Sequence, residues 1–582
     1  MSKAKLPRIG VFVCHCGHNI AGTVDVESVA EMASSLPDVV FSTHEMFMCA
    51  DAGQQLIKDK IDEFQLNRVV VASCSPRMHE PTFRKVVEEA GLNRYLFEQV
   101  NLREHVSWCH MREPEAATEK AKDLVTMSVA RARRLESLPV KTVYVNPKTL
   151  VVGGGISGIR AALDIANRGF DAILVEREPE LGGHVKSWTH LFPTDQTGAE
   201  LMAPLIERAE KHERIKILKS SQVTSFDGYI GNFDVGIKSG DSKEQNYEIG
   251  TVIITTGFQP FKPIGYYEYE KSPDIMTLAE FQERSEDDQL VRPSDGKPVR
   301  KMAFIGCVGS REHTKTGHEH CSRYCCTATA KAAGDLRQKV DEVLVLYQDI
   351  RTYGPGHEEF HRMARRNHVI FSKFPEDEKP IVKSKKGKID IRWHDVLADD
   401  ELEFEPDVLI LSSAMLPPEG IDEVARMFSL TRSADGFFNP EHIKLAPLTT
   451  HTAGVMIAGT AQAPKNASEA VVDASGAAAK SAALMAQAEV EIESTVSRVD
   501  PDLCSSCHTC ITACPYGAIE MDDSKDPPIA EVTEAKCHGC GTCAAACPSN
   551  AIKMFHSTDD QILSMVHAYL EPSLRVVGGD AK

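Results

Sequence analysis

The sequence predicts an α/β protein of several domains: an N-terminal α/β domain, a core built on two dinucleotide-binding folds, and a small cysteine-rich C-terminal module. Three observations carry that prediction. Apolar runs rich in Val and Ile alternate with amphipathic stretches along most of the 582 residues, enough chain for several separate cores. A glycine pattern, G-x-G-x-x-G at Gly153, Gly155 and Gly158, sits between a buried strand and a helix. Eight of the 17 cysteines crowd between Cys504 and Cys547.

Composition narrows the function classes. Hydrophobic residues are 42% and charged residues 26%, ordinary for a soluble globular chain. The formal charge of −19 argues against nucleic acid or an anionic membrane surface as the main partner. No window approaches eighteen uninterrupted apolar residues, which predicts no membrane insertion. "MSKAKLPRIGVFVCHCG" starts basic, but its apolar run is too short for a signal peptide, and a cytoplasmic location is expected. The cysteines fall into three groups, with none between Cys109 and Cys307 or between Cys326 and Cys504. In a large cytoplasmic chain such clustering points to metal or redox sites, not to a disulfide scaffold.

Residues 1–140 form the N-terminal domain. "RIGVFVCHCG", "VVFSTHEMFMC" and "RVVVASCSP" read as buried strands, "GQQLIKDKIDEFQL" as an intervening helix and "ATEKAKDLVTMSVARARRLESL" as a long amphipathic helix. Cys14, Cys16, Cys49 and Cys74 each lie at or just past a strand end. In a parallel sheet those ends gather on one edge, so four thiolates meeting there would make a cluster site. The competing reading is structural or free thiols. Cys109, in "LREHVSWCHMRE", is expected to be a packing residue.

Residues 141–260 and 440–490 are expected to form a flavin-binding domain. In "KTLVVGGGISGIRAALDIANRGFDAILVERE" the three glycines allow a tight turn, close backbone approach to a pyrophosphate, and helix-on-strand packing. Glu176, followed by Arg177, ends the second strand, where a carboxylate meets a ribose hydroxyl. "ELGGH", with Gly183 and His184, resembles flavoproteins of the disulfide-reductase type. So do "TVIITTGFQP", with Thr256 and Gly257, and "GVMIAGTAQAPKNASEAVVDASGAAA", with Gly459 and Thr460. Thr460 stands where many such proteins have an Asp near the ribityl phosphate. FAD is the cofactor these pieces imply together. The fold expected is that of the thioredoxin reductase and disulfide reductase class, with a second dinucleotide fold inserted.

That insertion, residues 261–439, has lost its nicotinamide loop. In "VRKMAFIGCVGSRE" Gly306 and Gly309 remain, but Cys307 and Val308 fill the turn and no third glycine precedes the helix. "KSKKGKIDIRWHDV" resembles a hairpin on an accessory sheet. Cys307, Cys321, Cys325 and Cys326 admit three readings: packing residues, a redox dithiol beside the flavin, or four ligands of a [4Fe–4S] cubane, which is preferred. Cys321 and Cys325, four apart, would share a helical face, with Cys326 turned away by about 100°. His313, His318 and His320 read as solvated loop residues.

Residues 491–582 are expected to hold a bacterial 2[4Fe–4S] ferredoxin module and a C-terminal tail. "CSSCHTCITACP" and "CHGCGTCAAACP" are both C-x2-C-x2-C-x3-C-P. Three thiolates on a tight loop hold one cubane, and the fourth starts a helix aimed at the other. Cys504, Cys507, Cys510 and Cys547 should therefore bind one cluster, and Cys537, Cys540, Cys543 and Cys514 the second. "YGAIEM" and "SNAIKM" should supply paired strands.

The combination resembles the HdrA family, the flavin-carrying component of heterodisulfide reductase, over nearly the whole chain. The matching stretches include "VFVCHCGHNIAGTVDV", "VVASCSPRMHEPTF", "NLREHVSW", the flavin unit, "CSRYCC" and the ferredoxin runs. The longer form in that family carries an additional ferredoxin insertion. Here residues 250–300 contain no cysteine, which marks a short form. The resemblance implies flavin-based electron bifurcation from a two-electron donor to ferredoxin and a disulfide. The alternative is a non-bifurcating flavin and iron–sulfur adaptor feeding a disulfide- or quinone-linked complex. It implies a central cluster close to the flavin, and a catalytic lysine near the reactive flavin nitrogen that matches Lys331. It also implies partners: heterodisulfide reductase components of the B and C types, a hydrogenase, formate dehydrogenase or NADH dehydrogenase module, ferredoxin, and a second copy in a homodimer.

Overall fold

A computed structural model describes residues 6–314, 317–385 and 387–570. The C-terminal tail beyond residue 570 lies outside the described residues. The chain forms two compact units, Met1–Thr142 with Glu491–Lys582, and Val143–Val490.

The first unit contains a parallel sheet whose strands run in the order Val39–Glu45, Ile9–Cys14, Arg68–Ser73, Phe97–Asn101. Ile9–Cys14 is buried throughout, as an unbroken apolar run requires when helices cover both sheet faces. Its side chains alternate: Ile9, Val11 and Val13 pack with Val29, Val125 and Val129, while Phe12 and Cys14 pack with Ile57, Ile61 and Phe83. Phe97–Asn101 was not among the expected strands; its Glu98 and Gln99 interrupt the apolar pattern. The ferredoxin segment belongs to this same unit. "YGAIEM" and "SNAIKM" do become strands, but not each other's partners. Ile519–Asp522 pairs with Ile529–Val532, and Ile552–Met554 with Ser497–Val499. A final helix, Asp559–Leu570, lies on Pro114–Ala132, where the Gln561 amide donates to Arg134 O at 3.0 Å.

The second unit holds two five-stranded parallel sheets. One runs Val455–Ile457, Thr251–Ile254, Lys148–Val152, Asp171–Val175, Ile215–Leu218, and the other Ile275–Thr277, Val408–Ser413, Lys301–Val308, Glu342–Tyr347, Ile370–Lys373. These are the two dinucleotide-binding folds. In the chain, the strands of the second sheet lie between Thr251–Ile254 and Val455–Ile457 of the first. The accessory hairpin Ile381–Lys385 with Lys388–Asp395 is present and gains a third strand, Asp400–Phe404. Among the described residues no helix is long and apolar enough to cross a membrane.

Candidate functional site

The turn after Lys148–Val152 opens onto a cavity of about 660 Å³. Its glycines divide three tasks. Gly153 has φ +109°, and a Cβ there would lie 2.4 Å from Thr255 O. A Cβ on Gly158 would lie 1.7 Å from Gly153 O, so only glycine lets the helix Ile156–Asn167 pack. A Cβ on Gly155 would meet no protein atom within 4 Å; it would enter the cavity itself. That open cradle at a helix start is where a pyrophosphate sits.

Glu176 is buried in the cavity wall, its Oε2 accepting from Gly154 N at 2.5 Å and its Oε1 from Glu178 N at 2.8 Å. Two backbone donors fix the carboxylate and leave lone pairs for a ribose diol. Arg177 lines the rim, paired with Glu178 at 3.3 Å. Gly183, at φ +54°, brings its backbone over Gly155. His184 donates from Nε2 to Phe258 O at 3.0 Å and sits among Trp188 and Phe258. Thr256, Gly257 and Thr460 also line the cavity. Gly459 does not; its φ of +67° carries the chain past Ser157.

Two buried polar atoms in this wall have no partner, Trp188 Nε1 and Thr256 Oγ1. Orphaned groups beside a hollow are expected where a ligand completes them. The N-terminus of the helix Ala467–Ala486, capped by Asn466, opens on the same space beside buried Lys465, which pairs with Asp473. The cradle, the orphaned donors and the helix end fit a flavin dinucleotide. Trp188 was not anticipated; Phe258, Lys465 and Asn466 lie in segments expected to bind flavin, but were not singled out as site residues.

The central cysteines are not part of this cavity's wall, but Tyr324, next to Cys325 in the chain, is. Cys307, one residue before the end of the strand Lys301–Val308, has φ +58°. The helix begins at Cys325, because Arg323 adopts φ +63°. Cys321 is therefore in the preceding loop and does not share a helical face with Cys325, contrary to the spacing argument. The four thiols nonetheless converge within electrostatic range of one another. Burial pushes Cys307 up to about 11, with Cys326 and Cys321 adding and Arg311 opposing. Cys325 donates a hydrogen bond to Cys326, which holds Cys325 high and Cys326 low. Arg311, paired with Asp349 at 2.9 Å, and Arg351 bring positive charge to this site. Phe261 lies 2.3 Å from where a Cβ on Gly309 would go, so its ring closes over the turn that follows Lys301–Val308. Of the loop histidines, His313 is exposed, but the His320 side chain is only 7% exposed and bonds Met415 O at 2.9 Å. The expectation of a solvated His320 is corrected.

Tyr324, directly before Cys325, lines the cavity and stacks on Trp188 at 6.5 Å with an interplanar angle of 2°. Ala328, one turn on, lines it as well. Lys331 follows on the same face but is not part of the lining. Its side chain is 10% exposed, and Nζ donates to Asp195 Oδ1 at 2.8 Å and Asp335 Oδ2 at 2.9 Å.

In the first unit Cys14, Cys16, Cys49 and Cys74 gather at the carboxyl edge of the sheet, each within electrostatic range of others in the set. Burial pushes Cys74 up to about 11 and raises Cys14 and Cys49. Cys14 Sγ accepts from Cys16 N at 3.3 Å and Met48 N at 3.4 Å. Arg103, from the turn after the fourth strand, reaches Cys16 Sγ at 3.5 Å and lies over the Trp108 ring. The stretch "NLREHVSW" that contains Arg103 was legible, but its place beside the cysteines was not, since the strand before it was not recognised. Cys109 is exposed and does not pack; its turn leaves the sheet edge before the next helix.

Cys504, Cys507, Cys510 and Cys547 line one small cavity, the crossed set that the motif spacing requires. Cys543 lies in range of Cys537 and Cys514, with Ser497 Oγ at 3.1 Å. Cys540, beside them in sequence, is held low by the Thr542 hydroxyl. Equivalent backbone donors serve each fourth cysteine: Ala518 N to Cys514 Sγ at 3.4 Å and Ala551 N to Cys547 Sγ at 3.3 Å. Among the described residues no three Cys, His, Asp or Glu side chains converge tightly enough for a single metal ion.

Comparison with known proteins adds independent findings. A 4Fe-4S dicluster domain family matches residues 503–551, and an NAD(P)-binding Rossmann-like domain family matches residues 151–216. The A component of the H(2):CoB-CoM heterodisulfide,ferredoxin reductase of Methanothermobacter thermautotrophicus is 38% identical, covering 89% of this chain and 91% of its own. An iron-sulfur A component of the CoB–CoM heterodisulfide reductase of Methanopyrus kandleri is 38% identical over 88% and 91%. The A component of the H(2)/formate:CoB-CoM heterodisulfide,ferredoxin reductase of Methanococcus maripaludis is 34% identical over 91% and 93%. Among solved structures, the thioredoxin reductase of T. acidophilum superposes on 58% of this chain and 99% of its own, with TM-score 0.42 and 16% identity.

Proposed function

The chain belongs to the HdrA family of heterodisulfide reductase components, oxidoreductases with FAD and [4Fe–4S] clusters, and from that membership we propose that it bifurcates electrons at its flavin. A two-electron donor would load the flavin; one electron would go to a low-potential ferredoxin and the other, through further clusters, toward a disulfide. The observation that carries this reading is Tyr324, whose ring is cavity wall and whose neighbour is Cys325. A cluster held by Cys307, Cys321, Cys325 and Cys326 would then take electrons singly from the flavin's edge.

Cys504, Cys507, Cys510 and Cys547 would hold one ferredoxin cluster, and Cys514, Cys537, Cys540 and Cys543 the other. Cys14, Cys16, Cys49 and Cys74 would hold a fourth, with Arg103 as its positive neighbour. Lys331 would set the flavin potential from the helix that starts at Cys325. Bound FAD supplies the exchange between two-electron and one-electron chemistry. The partners proposed are heterodisulfide reductase components of the B and C types, ferredoxin, a hydrogenase, formate dehydrogenase or NADH-oxidising module, and a second copy, all in the cytoplasm. The relatives' names, which mention ferredoxin, hydrogen and formate, support the donor and acceptor classes.

Spectroelectrochemical titration of the reconstituted protein tests the proposal. Bifurcation expects the flavin's second electron to be taken up more readily than its first. The opposite order, with two well-separated steps, would leave the plain electron-transfer adaptor.

A further inference from the structure

Clusters pass electrons without protons, whereas a nicotinamide hydride brings its own hydrogen. Full reduction of a flavin forms one N5–H bond and takes two electrons and one proton. Where the two-electron donor of the function proposed above, a hydrogenase or formate dehydrogenase module, passes its electrons on through reduced [4Fe–4S] clusters, each cluster returns to its oxidised state and brings no proton. The proton must then be drawn from solvent into a largely apolar cavity.

We infer that Asp195, Lys331, Asp335 and His190 form the proton path from solvent to the wall of the flavin cavity. Asp195 is 93% exposed, while its partner Lys331 is 10% exposed, so one hydrogen bond of 2.8 Å crosses from water to the interior. Lys331 Nζ donates next to Asp335 Oδ2 at 2.9 Å, and that same oxygen lies 3.1 Å from His190 Nδ1. His190 has a side chain only 7% exposed, lines the cavity, and has its other nitrogen fixed by Gln289 Oε1 at 2.8 Å. Lys331 and Asp335 are four residues apart on Cys325–Leu336, on the face whose Tyr324 and Ala328 form the cavity wall. Each of these links is a hydrogen bond already made; because Nδ1 and Nε2 of His190 are both engaged, its ring must turn from Gln289 to hand the proton to the flavin. Burial lowers the basicity of Lys331, but Asp195 and Asp335 more than offset it. At rest the path thus holds a charged ammonium next to an ionised carboxylate on the cavity side. Each turnover moves one proton inward, and Asp195 replaces it from water.

The test uses the full chain reconstituted with FAD and clusters, and flavin bound per chain is measured first. Low flavin content in the parent protein would refute the flavin assignment rather than the path. Flavin bleaching by reduced methyl viologen, a one-electron donor, is then followed by stopped flow in H2O and D2O. K331Q and D195N should bleach about tenfold or more slowly. Added imidazole buffer should restore D195N, whose equilibrium flavin potential stays at the parent value. A merely structural role would not respond to buffer. Parent-like rates and isotope effects in both variants, or slowing that buffer does not relieve, would overturn the inference. Asp195 is a surface residue, so D195N keeps the test valid if K331Q folds poorly.

Discussion

Replacing Gly155 by alanine separates cofactor binding from folding. Its backbone, at φ −75° and ψ −173°, is extended and open to any residue, and the added Cβ meets no protein atom within 4 Å. The apo fold should keep its stability to within about 0.5 kcal/mol, the usual range for a substitution that disturbs no packing. The methyl would instead occupy the space of the cofactor's pyrophosphate. Overfilling of that kind costs about 1–3 kcal/mol, which weakens FAD by about 5- to 150-fold. Gly158→Ala is the contrast, since its Cβ would lie 1.7 Å from Gly153 O and must push the helix off the sheet. The assay pairs a thermal melt of apo-protein with FAD titration by quenching of flavin fluorescence. Parent-like affinity in Gly155→Ala would refute the placement of the pyrophosphate at this turn.

Three further outcomes follow from the same structure. Cys326→Ser and, separately, Cys16→Ser should each lower iron by about four atoms per chain while leaving the ferredoxin-module signals in place, read by iron assay and low-temperature EPR. Thr256→Val should leave the apo melt unchanged or slightly raised, because Thr256 Oγ1 is buried without a partner, yet weaken FAD by about 1 kcal/mol in the same titration. Burial, reinforced by Arg131, pulls His556 down to about 4 from 6.5. The unfolded chain therefore binds the extra proton between those values. Stability should be full above pH 6.5 and fall by up to about 3 kcal/mol as pH drops toward 4, and His556→Gln should flatten that fall in a pH series of urea melts.

Where one ligand fixes the spacing of several residues, the sequence was readable. The cubane dictates C-x2-C-x2-C-x3-C, and Cys504, Cys507, Cys510 and Cys547 meet around one cavity as the motif requires. The pyrophosphate dictates the three glycines, and their roles follow from where a Cβ would fall. Residues placed by tertiary folding were not readable. Trp188 reaches its site by tertiary folding alone, and the segments that carry Lys465 and Arg103 were legible while the roles of those two side chains were not. Helical periodicity misplaced Cys321 because one left-handed residue, Arg323, delays the helix to Cys325. The sharing of one unit by the ferredoxin segment and the N-terminal sheet was equally hidden. It rests on contacts such as Arg131, which binds Glu98 at 2.6 Å and also reaches the His556 carbonyl.

The account rests on four cluster sites served by one flavin, and anaerobic iron and acid-labile sulfide per flavin test that directly. About sixteen irons and as many sulfides per FAD are expected, four for each cysteine set. About eight would confine the clusters to Cys504–Cys547, strip Cys307, Cys321, Cys325 and Cys326 of their proposed role, and contradict the electron exit placed beside Tyr324.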